Sequence, residues 1–405
     1  MAYSLFWNPL VHHSSSWNTP SDIWDTFRAA QYVTWGGESQ IYNNPAAFQS
    51  FPGIAVLLAP VAKVADVWHL SASFPITLAR PTAWLILGPV ELALGAILLF
   101  PLDKLAQRLD VGVRRRTYLL IVETIVIWPS VAFWDHPEDA LSLALGVYAF
   151  LAVLDGAWFR AAAFLALALA MQPLIILIVP VVLAYVPVRR WALMLGVMAV
   201  PSSVLLLSPL IQEWGPTTRR LLKQPNFPIH NHPTPWMHYA PVISIGHWSD
   251  AKFAKYVKLP GGHHQLVEVS SKVFIAPVVA AGPGRLVAVA LACVIGLVVK
   301  AWKPSLPQVV WMAALALALR CEFESVMVPY YLVPALALSL VVASRGGLVK
   351  SSSCAVMVAT CTWLSYHFLS PWAYYMAMTC SLGLVMLISW PGSSRTNVPQ
   401  GTFTG

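Results

Sequence analysis

Apolar runs of about 20 residues recur along the chain, and that is the length a helix needs to cross the hydrocarbon core of a bilayer. They fall at about 82–101, 117–134, 139–155, 161–172, 173–186, 191–208, 273–299, 307–320, 326–343, 352–369 and 373–390. Composition agrees: 58% of the 405 residues are hydrophobic and only 10% are charged. An average soluble domain has about a quarter of its residues charged, so a water-facing surface cannot be built here and lipid must cover much of it. The expected fold is an all-α, polytopic transmembrane bundle of about 10–12 membrane helices, with extracytoplasmic loops and interfacial helices.

The net charge of +8 would raise nucleic-acid binding in a soluble protein. Here the basic residues sit in short loops between apolar runs, where they set orientation instead. The clusters are Lys104, Arg108 and 114–116, then Arg160, Arg189 with Arg190, Lys300 with Lys303, Arg345 with Lys350, and Arg395. All of them lie on the cytoplasmic face if the stretch 161–186 enters and returns as two short helices broken at Gln172–Pro173. The opposite face then receives 134–139, that break, the long loop 209–272, 320–325 and 369–372. The segment from Phe51 to Leu70, with Pro52, Pro60, Lys63 and Asp66 along it, reads as a re-entrant or interfacial helix. A true span there would instead move the N-terminal segment to the cytoplasmic side. The resulting organisation is an extracytoplasmic segment 1–50 with an interfacial helix, a membrane half 51–208, an extracytoplasmic loop 209–272, a second membrane half 273–391 and a polar, disordered cytoplasmic tail 392–405. No cleavable signal peptide or solenoid repeat is visible. The five cysteines lie in or beside apolar runs and read as small buried hydrophobes, with no disulfide framework and no zinc site.

Polar residues of chemical interest collect on the face opposite the basic loops. In the first segment Asp22 and Asp25 share one helical face, and Trp24, Phe27, Ala30 and Gln31 form an aromatic face suited to a membrane interface. A carboxylate there has the chemistry of a general base, although Asp22 also suits a helix N-cap and Asp25 a partner for Arg28. Asp135, His136, Glu138 and Asp139 crowd a helix start between two apolar runs. Acidic residues favour that end of a helix, but three carboxylates and a histidine at a membrane boundary are costly and point to function. In the long loop, His230, His232 and Trp236 stand in a proline-framed stretch that offers hydrogen bonds and an indole face to a polar substrate. The histidines are two apart with no carboxylate beside them, so ligand spacing does not support a divalent metal, and no cofactor is firmly implied. Arg285 follows Gly282-Pro283-Gly284 at a helix start and suits an anion. Arg320, Glu322 and Glu324, then Tyr330 and Tyr331, interrupt another apolar stretch. Arg320 and Glu324 are also placed to pair at four-residue spacing.

Asp22 followed by Phe27-Arg28-Ala29-Ala30, then Gly36-Gly37, Ile41-Tyr42 and Phe51-Pro52 with Leu-Leu-Ala-Pro beyond, resembles the first loop of the GT-C membrane glycosyltransferases. The branch it resembles most is that of the polyprenyl-phosphate-mannose-dependent mannosyltransferases. Met171-Gln172-Pro173-Leu174 resembles their Lys-Pro break between short helices, with Gln in place of Lys, and Tyr330-Tyr331-Leu332-Val333-Pro334 resembles a later helix. The pattern is spaced over most of the chain and has no invariant signature. It departs from the family at the start, where residues 1–50 supply no membrane helix leading into the loop.

The resemblance implies an extracytoplasmic active site in the plasma membrane, with Asp22 as catalytic base and Asp25 as its substitute. It also implies a polyprenyl-phosphate sugar donor, with mannose as the family's sugar, and a lipid or glycan acceptor. The donor phosphate is expected near Arg285, Arg320 or the cluster Arg219, Arg220 and Lys223. His136, Glu138, Asp139, His230, His232, Trp236, Glu322 and Tyr330 are the expected substrate contacts, and Asp22, His136, His232 and Arg320 should share one groove. The alternative is a secondary transporter or flippase of lipid-linked or polar substrates, which also uses broken helices and buried polar groups. A non-catalytic envelope scaffold is the third reading.

Overall fold

The computed structural model describes residues 22–43, 48–70, 82–128, 130–131, 134, 136–226, 228, 232–258, 264–367 and 370–392. The first part runs α1 (Asp22–Thr34), α2 (Pro52–Val67), α3 (Trp84–Ala96), α4 (Leu99–Arg108), α5 (Val113–Trp128), α6 (Pro137–Leu154) and α7 (Trp158–Met171). A 3-10 stretch Pro173–Ile178 leads into α8 (Val179–Leu183), then α9 (Trp191–Gln212), α10 (Trp214–Thr218) and a π-helical turn Arg219–Lys223. Strands β1 (His232–Pro233), β2 (Val242–Ser244), β3 (His247–Lys258), β4 (His264–Ile275) and β5 (Val278–Val279) follow, with a 3-10 helix Pro235–Tyr239 between the first two. The chain continues with α11 (Gly284–Trp302), α12 (Leu306–Phe323), β6 (Val326–Met327), a 3-10 turn Pro329–Leu332, α13 (Val333–Arg345), α14 (Leu348–Ser365) and α15 (Pro371–Ser389).

Among the described residues six helical stretches are long and apolar enough to cross a membrane: Trp84–Arg108, Pro137–Leu154, Val188–Gln212, Gly284–Trp302, Leu306–Phe323 and Pro371–Ser389. The protein is a multi-pass, mostly helical membrane protein. Burial sorts these helices. α6 and α13 are buried along most of their length and form the middle of the bundle, whereas α9 and α11 present Leu193, Val200, Val204, Leu207, Leu286, Val294 and Leu297 outward. Water would penalise that surface, and acyl chains do not. Small residues set the close helix contacts, as expected where lipid supplies no hydrophobic drive to association. A Cβ on Gly296 would come within 2.6 Å of the Pro180 carbonyl oxygen, and one on Gly53 within 2.4 Å of that of Ala170.

The basic loops meet at one end of the bundle. Arg116 pairs with Asp103 at 2.9 Å, and Arg108 pairs with Asp155. Arg115 donates to the carbonyls of Ser344 and Arg345 at 3.0 and 3.1 Å, so its guanidinium closes the C-terminus of α13. Lys300 reaches the Val186 carbonyl at 3.1 Å, and Arg190 lies 5.2 Å from the Trp158 ring. The last contact places both ends of the stretch 158–190 together. The stretch therefore doubles back as two short helical pieces.

Four expectations are corrected. The long loop is not free of strands: β3 and β4 pair antiparallel from His247 opposite Ile275 to Lys258 opposite His264, so the fold is not all-α. The expected span 273–299 begins only at Gly284, because its first residues complete the ladder and Pro277 and Pro283, lacking an N–H, keep a helix from starting earlier. The aromatic face of α1 does not meet the membrane. Trp24 and Phe27 are buried, with Ile54, Leu58 and Leu87 of α2 and α3, in a second core beside the main one. Of the cysteines, Cys321, Cys354 and Cys361 are buried, but Cys293 and Cys380 are exposed. The 16-residue α2 is about 24 Å long at 1.5 Å per residue, short of the ~30 Å core of a bilayer. It is tied to α1 where Gln31 and Trp35 donate to the Asp66 carboxylate at 3.1 and 2.9 Å.

Candidate functional site

The site forms at the end of the bundle away from the basic loops, and its floor is the start of α6. Pro137 occupies the first turn, where its missing N–H costs nothing, and Glu138 and Asp139 sit where the helix dipole favours negative charge. Both carboxylates are buried. Glu138 Oε1 accepts from Ser50 Oγ at 3.2 Å and lies 2.8 Å from His136 Nδ1. Asp139 Oδ1 accepts from Gln172 Nε2 at 3.1 Å and lies 3.6 Å from Arg320. Gln172 reaches it because the chain is extended there, between α7 and the 3-10 stretch. Gly53 seats α2 on the end of α7, which brings Ser50 over Glu138.

The charges continue in alternation. Arg320, near the end of α12, lies 3.2 Å from the Tyr331 ring centroid and 3.8 Å from Glu324. Glu324, 2% exposed, lies 2.7 Å from the Nε of Arg285. Arg285 also bonds Gln224, whose backbone takes the left-handed conformation (φ +39°) that ends the π turn. Gly284 makes this junction. A Cβ there would lie 1.8 Å from the Phe323 carbonyl oxygen, so only glycine lets the start of α11 rest on the end of α12. Buried charges this close hold one another in place, and loss of either partner leaves an uncompensated charge.

These groups border a cavity of about 780 Å³. Its polar wall has Asp25, Ser50, His136, Gln172, Arg285 and Arg320; its apolar wall has Leu174, Ile176, Leu177, Leu221, Ala288 and Val289. Asp25 enters from α1, close enough to Arg220 to favour that guanidinium's charged form against the burial that lowers its pKa. Tyr330 lines the cavity with its ring stacked on His136 at 4.0 Å.

Asp25, His136, Arg285, Arg320 and Tyr330 therefore line one cavity, with Glu138 and Asp139 in the wall behind them. The expected role of His232, Trp236 and Glu322 at this cavity is corrected. Residues 320 and 324, one turn apart, share the cavity face of α12, and residue 322 points to the other side. Glu322 accepts from Thr379 Oγ1 at 2.8 Å on α15. Trp236 packs on Phe323 at 5.1 Å. His232 stacks on Tyr374 at 3.4 Å, and burial lowers its pKa to about 4. Arg219 and Lys223 face solvent. The Asp22 side chain, Asp135 and His230 lie outside the described residues, as does the tail 393–405.

No family model, curated protein or solved structure matches the chain. Its chemistry is read from the cavity alone. Among the described residues no three His, Cys, Asp or Glu side chains gather as a metal site requires. Two guanidinium groups suit a phosphate, the Asp25 carboxylate on the same cavity suits proton removal from a hydroxyl, and the apolar wall suits a hydrocarbon chain. Glu324, Ser50, Gln49, Gln224 and Asn226 also belong to the site and were not singled out in the sequence as substrate contacts. The four-residue spacing from Arg320 marks Glu324. The others are ordinary polar loop residues with no local signal.

Proposed function

We propose that the protein is a membrane glycosyltransferase, GT-C-like and with about 10–12 membrane segments once its shorter apolar helices are counted. It moves a sugar, mannose first among those to be tried, from a polyprenyl-phosphate donor to a lipid or glycan acceptor on the extracytoplasmic face of the plasma membrane. The observation that carries this reading is the single cavity that joins a carboxylate, two arginines and an apolar wall at the end of the bundle opposite the basic loops.

In this reading the polyprenyl chain lies along Ile176, Leu177, Ala288 and Val289, and Arg285 and Arg320 hold the phosphate. The acceptor hydroxyl oxygen attacks the sugar C1 as the bond from C1 to the phosphate oxygen breaks. The proton passes to the Asp25 carboxylate, and polyprenyl phosphate leaves with the bonding pair. Direct displacement inverts C1. Asp25 takes the role because its carboxylate borders the cavity, with Asp22 one turn earlier on α1 as the substitute. His136, oriented by Glu138, binds sugar hydroxyls.

Purified protein in lipid nanodiscs with labelled polyprenyl-phosphate mannose and other such donors tests this. Transfer should fall at least about a hundredfold in Asp25→Asn, the scale of a lost general base. Full transfer by both Asp25→Asn and Asp22→Asn removes the assignment. The break at Gln172–Pro173 favours a second reading, a transporter or flippase. It predicts movement of intact lipid-linked sugar across proteoliposomes with no bond cleaved.

A further inference from the structure

Glu322 and Trp236 do not reach the cavity, yet they are not scattered. The segment from β1 into the 3-10 helix Pro235–Tyr239 is pinned to the end of α12. The Thr234 hydroxyl bonds the Glu324 carbonyl at 2.5 Å and accepts from the Trp236 N–H at 3.2 Å, and the Thr234 N–H donates to the Ser325 carbonyl at 3.1 Å. This fixes Trp236 over Phe323, with Tyr239 6.0 Å from it. From the other side α15 contributes Tyr375, whose hydroxyl donates to the Glu322 backbone carbonyl at 3.4 Å, and Thr379, which holds one oxygen of the Glu322 carboxylate at 2.8 Å. Trp372 stands at the edge, 6.5 Å from Tyr375. Tyr239 and Trp372 are well exposed, and Trp236, Glu322 and Tyr375 are half-buried.

Rings at a membrane boundary commonly form an interfacial belt, each ring acting alone. This group differs in two ways. Its members are fixed around one residue, since Tyr375 and Thr379 both bond Glu322 and Trp236 packs on the adjoining Phe323, and that residue brings a carboxylate, which a belt does not need. An aromatic face beside a fixed carboxylate is complementary to a sugar ring, whose C–H face lies on an aromatic ring while its hydroxyls donate to the carboxylate. An anion would be repelled. An apolar chain would leave the carboxylate unsolvated.

We propose that Trp236, Tyr239, Glu322, Trp372 and Tyr375 form a binding site for neutral saccharide, separate from the cavity and on the opposite side of the α12 terminus. Its position among exposed aromatic side chains fits a glycan carried at the membrane surface. The site stands whether or not the cavity transfers sugar, because it predicts binding and no reaction.

Calorimetric titration of the protein in nanodiscs with free mannotetraose, and with the same tetrasaccharide on a lipid anchor, tests the proposal. Saturable binding of either form is expected, and the lipid-anchored form should bind more tightly if the ligand is a glycolipid. Trp236→Ala and Glu322→Gln should each weaken binding at least tenfold, with Trp236→Phe losing less than Trp236→Ala. Gly196→Ala, where an added methyl meets nothing within 4 Å, should bind as the unaltered protein does. Absence of binding by both probes overturns the site, as does binding that Trp236→Ala and Glu322→Gln leave unchanged in variants whose thermal unfolding matches the parent.

Discussion

Arg320 holds more of the site together than any other single side chain, because it touches Asp139, Glu324 and the Tyr331 ring at once. Arg320→Met removes one buried charge and strands two, which costs about 3–5 kcal/mol on the scale of a broken buried pair. Thermal unfolding in detergent should show a large fall in midpoint, partly restored by adding Asp139→Asn. Arg285→Gln is the contrasting case. Its side chain is 26% exposed and Glu324 keeps Arg320 at 3.8 Å, so the fold should lose less than in Arg320→Met while donor binding weakens. His232 gives a pH signature. Its folded pKa of about 4 lies below the ordinary 6.5, so the unfolded chain binds the proton first. Stability should be constant above about pH 6.5 and fall as pH drops from there towards 4. His232→Gln should flatten that part of a stability profile. At this scale the acidic cluster was legible, since carboxylates crowded at a helix start between apolar runs have few cheap explanations. Gln172 was legible too, as the polar interruption of a long apolar stretch. The difference between Glu322 and Glu324 was only half legible. Helical spacing puts Glu324 on the face of Arg320, but which face meets a cavity depends on the neighbours of α12, and sequence pattern does not reveal them.

Helices α11 and α12 meet where the backbone itself is the contact, and this is what brings Arg285 to Glu324. Gly284→Val has no room against the Phe323 carbonyl, so the start of α11 must move away and separate the pair. Donor binding should fall by more than tenfold while the helical circular dichroism signal stays near that of the parent. Gly196 of α9 has nothing within 4 Å of its would-be Cβ. Gly196→Ala should therefore be neutral, or stabilise by up to about 1 kcal/mol by removing a mid-helix glycine. The apolar runs revealed most helices because length and hydrophobicity suffice for that. They failed at 273–283, where Val273, Phe274 and Ile275 are as apolar as a membrane helix. Only their partners across the ladder, Ser249, Trp248 and His247, mark them as strand, and pairing between distant residues leaves no periodicity to read. The aromatic face of α1 failed for a related reason. Trp24 and Phe27 suit a bilayer interface or a protein core equally well, and the presence of α2 and α3 beside them decides it.

The molecule as a whole is polarised, with cationic loops at one end and the cavity at the other. If the basic end is cytoplasmic, alkaline phosphatase fused after residue 258 should be active outside the cell membrane, and a fluorescent protein fused after residue 190 should fluoresce inside. The reverse pattern would place the cavity in the cytoplasm and end the proposed use of an extracytoplasmic donor. The break at 172–173 fits this arrangement, since the chain turns back beside Asp139 and both of its ends return to the basic side. The pairing of Arg285 with Glu324 has a further result for how a ligand arrives. A guanidinium already matched by a carboxylate projects little field beyond the cavity mouth, so an anionic lipid is not drawn in from a distance. For the proposed lipid-phosphate donor, encounter would then be governed by two-dimensional diffusion in the leaflet, nearly indifferent to ionic strength. Selection of that donor would come only when its phosphate is near enough to take the place of Glu324 as the arginine's partner.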